Sequence, residues 1–160
     1  MIAIGIDPGL TGAIAFIGPN TIAVEDLPTV ELAGNGTVRR RIDGMALAQL
    51  VRRHVPAGEV AEVFCEHVGN VGGKENRTMA QGSLMRTLGA IEAAFDILRM
   101  PFTLVVPRSW KGFYDLGSDK AASLRCARML YPVAPLKLAK HQNRAEALLI
   151  AHWGMRKVCG

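Results

Sequence analysis

The chain is poor in cysteine and has no long apolar run. Its three cysteines, Cys65, Cys126 and Cys159, are widely spaced and form no Cys-x-x-Cys pair. This pattern fits a reducing compartment better than a disulfide framework or a zinc site. No apolar stretch approaches the roughly 18 residues that span a bilayer, and the amino terminus has no pattern of a secretion signal. We expect a soluble protein without a membrane partner, with two core thiols and one thiol in the tail.

Acidic residues are also in deficit, because 14 Asp and Glu stand against 19 Lys and Arg, for a net charge of +5. A hydrophobic content of 49% excludes a disordered chain, and 160 residues are enough for one domain with its own core. The excess positive charge favours a polyanionic partner. The basic residues recur in clusters, which are Arg39–Arg41, Arg52–Arg53, Lys74 with Arg77, Arg108 with Lys111, Lys137 with Lys140 and Arg144, and Arg156–Lys157.

Apolar periodicity and turn residues predict five strands and four helices. The predicted strands are 1–6, 13–17, 21–27, 60–66 and 102–106, and the predicted helices are 44–54, 83–99, 118–131 and 143–155. The segments 28–41, 69–81 and 107–117 are predicted to be loops, the first of them basic and mobile. This order predicts an α/β fold with a mixed five-stranded sheet, three antiparallel strands and then two parallel ones, and helices on both faces.

The predicted helix over 83–99 carries a regular apolar stripe. Its members recur at spacings of four and three, and they are Leu84, Leu88, Ile91, Phe95 and Leu98. Packing against the sheet explains this stripe. The same alternation also suits a pair of helices across a two-fold interface.

Three acids lie in apolar surroundings that are distant in sequence. Asp7 follows an apolar strand into a Pro-Gly turn, Glu66 ends a second apolar strand, and Glu146 lies in the apolar stretch 145–153. An ionised carboxylate among apolar neighbours is costly unless a positive charge lies beside it. The first strand is expected to lie beside the strand that ends at Glu66, so both acids would meet at one edge of the sheet, where a helix can bring Glu146. The three acids therefore suggest shared cations.

Three segments carry a resemblance to a known family. They are Gly-Ile-Asp-Pro-Gly-Leu-Thr-Gly over 5–12, the strand that ends at Glu66 with Val68 after it, and Asn-Arg-Ala-Glu-Ala-Leu-Leu-Ile-Ala over 143–151. Together with the element order, they resemble the Holliday junction resolvases of the RuvC type, in the ribonuclease-H-like superfamily, and the shorter phage and bacterial members most. The resemblance implies a single ribonuclease-H-like nuclease domain over 1–160, in the cytoplasm of a bacterial or phage-infected cell and associated with the nucleoid.

The resemblance also implies a metal site. In that family four positions hold two Mg²⁺ ions that cut a phosphodiester, and Asp7, Glu66 and Glu146 match three of them. We expect Asp7 to bridge the ions and Mn²⁺ to be a possible substitute. The fourth position falls on Asn143 by its spacing from the last acid. His141 is the alternative by its chemistry, because some relatives have a histidine at this position.

The expected partner is four-way or branched DNA, bound by a homodimer. A dimer supplies two sites for symmetric nicks, and the helix with the Leu84–Leu98 stripe is the candidate interface. The residues expected to contact DNA are Lys74, Arg77, Arg108, Lys111, Lys140 and Arg144. The family probes the junction with an aromatic side chain in the loop after the second acid, and 69–81 contains none.

Other interpretations remain open. The protein could bind branched DNA without cutting it, which Asn143 makes credible, or it could process flaps and forks. The sugar kinase, actin and heat-shock ATPase superfamily has a similar strand-Asp-x-Gly-x-Thr opening, but it needs two related domains and a second glycine-rich phosphate segment. Trp110 is expected to anchor its loop, or to stack on DNA beside Arg108 and Lys111.

Overall fold

The computed structural model describes residues 1–32, 39–68 and 76–159, except for the side chains of 76–80 and Lys120. The elements in chain order are β1 (Ile2–Asp7), β2 (Ala13–Gly18), β3 (Thr21–Asp26), β4 (Thr29–Leu32), β5 (Arg39–Ile42), α1 (Gly44–His54), β6 (Ala61–Glu66), α2 (Asn76–Ile97), β7 (Phe102–Val105), α3 (Pro107–Phe113), α4 (Lys120–Leu130) and α5 (Gln142–Cys159). Among the described residues, no helix combines the length and apolar character that a bilayer crossing requires.

Five strands form the main sheet in the order β3-β2-β1-β6-β7. Strands β1, β2 and β3 pair antiparallel through tight turns. Strand β6 pairs parallel with β1 and with β7, because helices connect these strands and return the chain to the same end of the sheet. The predicted mixed sheet of three antiparallel and two parallel strands is confirmed.

The two faces of β1 carry side chains of different size. In β1, Ile2, Ile4 and Ile6 point to the face covered by α1 and α2, whereas Ala3 belongs to the core on the other face, with α3, α4 and α5. Between them, Gly5 lies directly beneath α5, because an added Cβ would be 2.1 Å from the carbonyl oxygen of Ala147. The small residues on this face let α5 pack against the backbone of β1.

Two helices begin at an aspartate cap. The Asp43 carboxylate accepts a hydrogen bond from the Ala46 amide at 3.0 Å and caps α1. The Asp119 carboxylate accepts one from the Ala121 amide at 2.9 Å and caps α4. Each cap satisfies an amide that has no partner within its helix.

The prediction of a loop over 28–41 was wrong. Thr29–Leu32 and Arg39–Ile42 pair antiparallel as a two-stranded ribbon outside the main sheet, with residues 33–38 outside the described part. The base of the ribbon is anchored by Ile42, which is buried in the core, and by the Asp43 amide, which donates to the Pro28 carbonyl at 2.9 Å. A strand of three arginines shows no apolar alternation, so its pairing was not visible in the sequence.

Two further loop predictions need correction. The segment 69–81 was predicted to be a loop, but α2 already begins at Asn76, while 69–75 lie outside the described residues. The segment 107–117 contains α3, which starts at Pro107. Proline is favoured at the first position of a helix because its missing amide hydrogen needs no partner there.

The stripe on α2 packs inside the molecule. Leu88, Ile91 and Phe95 are buried in the core between α2 and the sheet, and Leu98 packs against it. Core packing therefore accounts for the stripe, and the prediction that this face of the helix is a dimer interface was wrong.

The three thiols differ in exposure. Cys65 is buried, Cys126 is half-buried and Cys159 is exposed, and all three are free. The expectation of two core thiols is thus met fully by Cys65 and only in part by Cys126.

Candidate active site

Asp7 and Glu66 end two neighbouring parallel strands. Ile6 of β1 pairs with Cys65 of β6, so the two acids stand one residue further along, at the same edge of the sheet. Ile6 and Cys65 face the core under α1 and α2. Because side chains alternate along a strand, Asp7 and Glu66 point to the opposite face, where α5 packs.

The turn after Asp7 is closed tightly by glycine. The Gly12 amide donates to the Gly9 carbonyl at 3.1 Å, and a Cβ on Gly12 would be 2.2 Å from the carbonyl oxygen of Asp7. The Gly12 carbonyl in turn accepts from the Leu27 amide at 2.9 Å. The backbone that presents Asp7 is therefore fixed to the strand end that leads into the β4–β5 ribbon.

A buried tryptophan orients Glu66. The indole Nε1 of Trp110 donates a hydrogen bond to Glu66 Oε2 at 2.8 Å. Trp110 is 0% exposed, so it anchors α3 as expected, and its ring offers no face for stacking on DNA. The bond fixes one carboxylate oxygen of Glu66 from beneath.

Glu146 is a buried carboxylate with a positive partner. It is 3% exposed, and its Oε1 lies 3.2 Å from Lys111 Nζ. The hydroxyl of Ser123 donates to the same oxygen at 3.3 Å. Because Trp110 and Lys111 are consecutive residues of α3, this short helix contacts Glu66 and Glu146 at once and brings the two acids into one site.

The amino-terminal end of α5 is tied to the turn after Asp7. Asn143 Nδ2 donates to the Thr11 carbonyl at 2.7 Å, and Asn143, His141 and Thr11 line one cleft there. The Asn143 side chain thus acts as a donor to this turn. Its neighbour Arg144 binds Asp26 with two hydrogen bonds, of 2.6 and 2.8 Å. This bond is the main cause that lowers the pKa of Asp26 and raises the pKa of Arg144.

The residues expected to contact DNA have different surroundings. Arg108 and Lys140 are exposed, whereas the charges of Lys111 and Arg144 are engaged with Glu146 and Asp26. Lys74 and the side chain of Arg77 lie outside the described residues.

The chemistry of the donor set fits a hard cation, because all three acids offer carboxylate oxygens. Within 1–32, 39–68 and 76–159, no group of three or more His, Cys, Asp and Glu side chains is arranged to hold a metal ion. Lys111 instead supplies the positive charge beside Glu146. We call Asp7, Glu66 and Glu146 the carboxylate cluster: Asp7 and Glu66 end neighbouring strands on one face of the sheet, and α3 contacts Glu66 and Glu146.

Cys65 lies directly behind this cluster. Burial raises its pKa well above the ordinary value, and the negative charges of Asp7 and Glu66 raise it further. A thiol of this kind stays protonated and has little nucleophilic character. Its role is packing.

Two contacts of the site were not predicted from sequence. The bond from Trp110 to Glu66 and the bond from Ser123 to Glu146 join residues 44 and 23 positions apart. Trp110 had one signal, since a lone tryptophan between Arg108 and Lys111 stood out. Ser123 had none, because a serine in a helix is common.

Comparisons with known proteins locate the fold. No protein-family model matches the chain, and no curated protein matches it. Among solved structures, RuvC of T. thermophilus in complex with a Holliday junction substrate matches with a TM-score of 0.58 and 18% sequence identity, over 99% of this chain and 96% of the other. A second RuvC structure from Thermus thermophilus matches with a TM-score of 0.56 and 19% identity, over 99% and 97% of the two chains. The chain therefore has the fold of these RuvC structures, as the sequence resemblance predicted.

Proposed function

We propose that the protein is a metal-dependent endonuclease that resolves four-way DNA junctions. The observation that carries this proposal is the carboxylate cluster: β1 and β6 present Asp7 and Glu66 at one sheet edge, and α3 contacts both Glu66 and Glu146. The shared fold supports it, since one similar structure is a RuvC bound to a junction. The net charge of +5 is consistent with a DNA substrate.

In the proposed site, Asp7, Glu66 and Glu146 hold two Mg²⁺ ions, for which Mn²⁺ would substitute. Asn143 or His141 fills the fourth position. Bound Mg²⁺ would supply activation of a water and stabilisation of the leaving oxygen during an in-line displacement at phosphorus.

The surrounding residues would prepare the acids for this task. Trp110 orients the Glu66 carboxylate, while Lys111 and Ser123 orient the Glu146 carboxylate within an apolar core. The proposed contacts to the DNA backbone are Lys74, Arg77, Arg108 and Lys140, and also Lys111 and Arg144, which bind Glu146 and Asp26 as well.

Substitution of Asp7 tests the assignment. Asp7→Asn keeps the size of the side chain and removes its charge, so junction DNA should still bind while Mg²⁺-dependent nicking falls at least about a hundredfold, as expected for loss of a metal ligand. The measurement is nicking of a labelled synthetic four-way junction, with a linear duplex as substrate control. Glu59→Gln, an exposed position at the opposite end of the sheet from Asp7 and Glu66, is the matched control and should cut normally. Undiminished cleavage by Asp7→Asn would overturn the proposed role of this residue.

A second candidate function is the binding of branched DNA without cleavage. Two observations favour it. Asn143 brings no negative charge for a cation and donates to the Thr11 carbonyl, and the ammonium group of Lys111 lies 3.2 Å from Glu146, where a cation could otherwise bind. The same assay separates the two functions. Junction binding without any nicking by the wild type, in either Mg²⁺ or Mn²⁺, would establish the binding protein and exclude the nuclease.

A homodimer is proposed because symmetric resolution needs two sites. The available surface of α2 is the side opposite the core. There Met85, Gly89, Ala93 and Ile97 recur every four residues and are all exposed. Spacing by four with small residues at its centre is compatible with close packing of two helices.

A further inference from the structure

We propose that the arginine strand of the β4–β5 ribbon, together with α2, forms a binding cleft for the phosphodiester backbone of a DNA strand. The inference rests on the proposed function and adds a substrate contact outside the carboxylate cluster. Its basis is a cleft of about 510 Å³ between the ribbon and α2. Four arginines line this cleft, which are Arg39, Arg40, Arg41 and Arg86.

The charge of this cleft is not balanced within the protein. All four arginines are exposed, and none forms an ion pair with a carboxylate of the described residues. No acidic residue lines the cleft in the described part of the chain. Four guanidinium groups around one cavity repel one another, and a bound polyanion would relieve this repulsion. Their planar donor groups match the oxygens of a phosphate.

The position of the cleft selects DNA over other polyanions. Leu10 and Arg40 line this cleft and also the neighbouring cleft of about 480 Å³, which contains Lys140, His141 and Asn143. Leu10 belongs to the turn that follows Asp7, so the two clefts form one basic path beside the carboxylate cluster. A strand whose phosphate lies at the acids would continue into the arginine cleft.

The ribbon has a fixed position relative to the acids. The Leu27 amide is bonded to Gly12 in the Asp7 turn, and the buried Ile42 holds the end of the arginine strand in the core. The arginines are therefore presented by a supported element at a constant place beside the site.

The test compares paired substitutions that remove equal charge. Arg40→Gln with Arg86→Gln removes one arginine from each wall of the cleft. Arg52→Gln with Arg156→Gln removes the same charge from exposed positions on α1 and α5. Binding of a fluorescent four-way junction to the full chain is measured by anisotropy over a range of salt concentrations, without divalent ions. Thermal unfolding confirms that each variant is folded.

In the Arg40 and Arg86 variant, the loss of two phosphate contacts should make the plot of log binding constant against log salt concentration less steep, by roughly 1.8 in slope. Junction binding should weaken at least about tenfold. The Arg52 and Arg156 variant should keep the wild-type slope. Arg40→Lys with Arg86→Lys, which retains the charge, should keep most of the slope. An unchanged slope in the cleft variant would overturn the proposal. If the cleft variant keeps this slope but no longer binds a poly-glutamate peptide that the wild type binds, the cleft would be assigned to an acidic protein partner instead of DNA.

These outcomes separate the cleft from the proposed function. If the wild type nicks junctions and the cleft variant binds them as the wild type does, the proposed cleft is rejected and the proposed nuclease stands. If the two proteins show the expected difference in slope but the wild type never nicks, the proposed cleft stands and the nuclease is rejected.

Discussion

Asn143 joins the start of α5 to the turn after Asp7. A carboxylate at this place could ligate a cation but would face the Thr11 carbonyl with like polarity. The amide donates to that carbonyl at 2.7 Å and holds α5 against the turn after Asp7. The residue therefore stabilises the backbone of the candidate site whether or not it ligates a metal. This role was not evident from the sequence, because it depends on a contact between residues 132 positions apart.

Lys111 gives a prediction at the same scale. Lys111→Met removes the cationic partner of the buried Glu146 and should destabilise the protein by about 3 kcal/mol, since a buried carboxylate that loses its positive partner is costly. The measurement is the midpoint of urea unfolding. Mg²⁺ should recover more stability in this variant than in the wild type if the acids bind the ion.

The companion variant of Lys111→Met separates charge from packing. Glu146→Gln in the same chain removes the buried charge, so the double variant should regain much of the lost stability. A Lys111→Met protein that is as stable as the wild type would show that the ion pair contributes nothing to the buried carboxylate.

The acids themselves were accessible to sequence reasoning for a physical reason. Asp7 and Glu66 each end an apolar strand, and Glu146 interrupts an apolar helix, so each stands out where a charge is costly. The residues that contact these acids, in contrast, have no distinctive pattern in the sequence. Ser123 and Trp110 became part of the site only through the packing of α3 and α4 beside α5.

At the scale of elements, the prediction worked where packing against the sheet sets the pattern. The strands β1, β2 and β6 are buried on both faces and appear as apolar runs, and α1 is defined by its cap and its apolar face. The β4–β5 ribbon and α3 follow other rules. The ribbon has almost no buried face, and α3 starts at a proline that also marks many loops.

The exposed side of α2 carries an element-scale prediction. Met85→Glu with Ala93→Glu places charges in the proposed interface without disturbing the core stripe, so the protein should become monomeric and remain folded. Light scattering coupled to size-exclusion chromatography measures the change. Glu substitutions at Met45 and Met129, which are exposed on α1 and α4, should leave the dimer unchanged. A dimeric α2 variant would refute this interface, and a monomeric wild type would refute dimerisation.

At the scale of the whole molecule, both faces of the sheet carry a hydrophobic core. The core under α1 and α2 includes Phe16, Phe95 and Ile91. The core under α5 includes Phe64, Trp110 and Leu148, and the carboxylates lie on this face. In β1 the α5 face carries small residues, which let α5 lie close to the backbone of that strand and to the acids.

The contact between Gly5 and α5 carries the prediction at this scale. Gly5→Ala would place a methyl group 2.1 Å from the Ala147 carbonyl, so α5 must move. Unfolding should be easier by about 3 kcal/mol, in the upper part of the range for overpacked cores, and nicking should fall although all three acids are present. Gly44→Ala, where nothing lies within 4 Å, is the control and should be neutral. Wild-type stability in Gly5→Ala would contradict this close packing.

Gly154 makes the same kind of contact at the other end of α5, where a methyl group would overlap the ring of Phe64. The absence of a Cβ atom at Gly5 and at Gly154 therefore determines how closely α5 approaches the sheet. Enlarging either glycine would push α5 away from the sheet and so change the separation between Glu146 on α5 and the acids Asp7 and Glu66 at the strand ends.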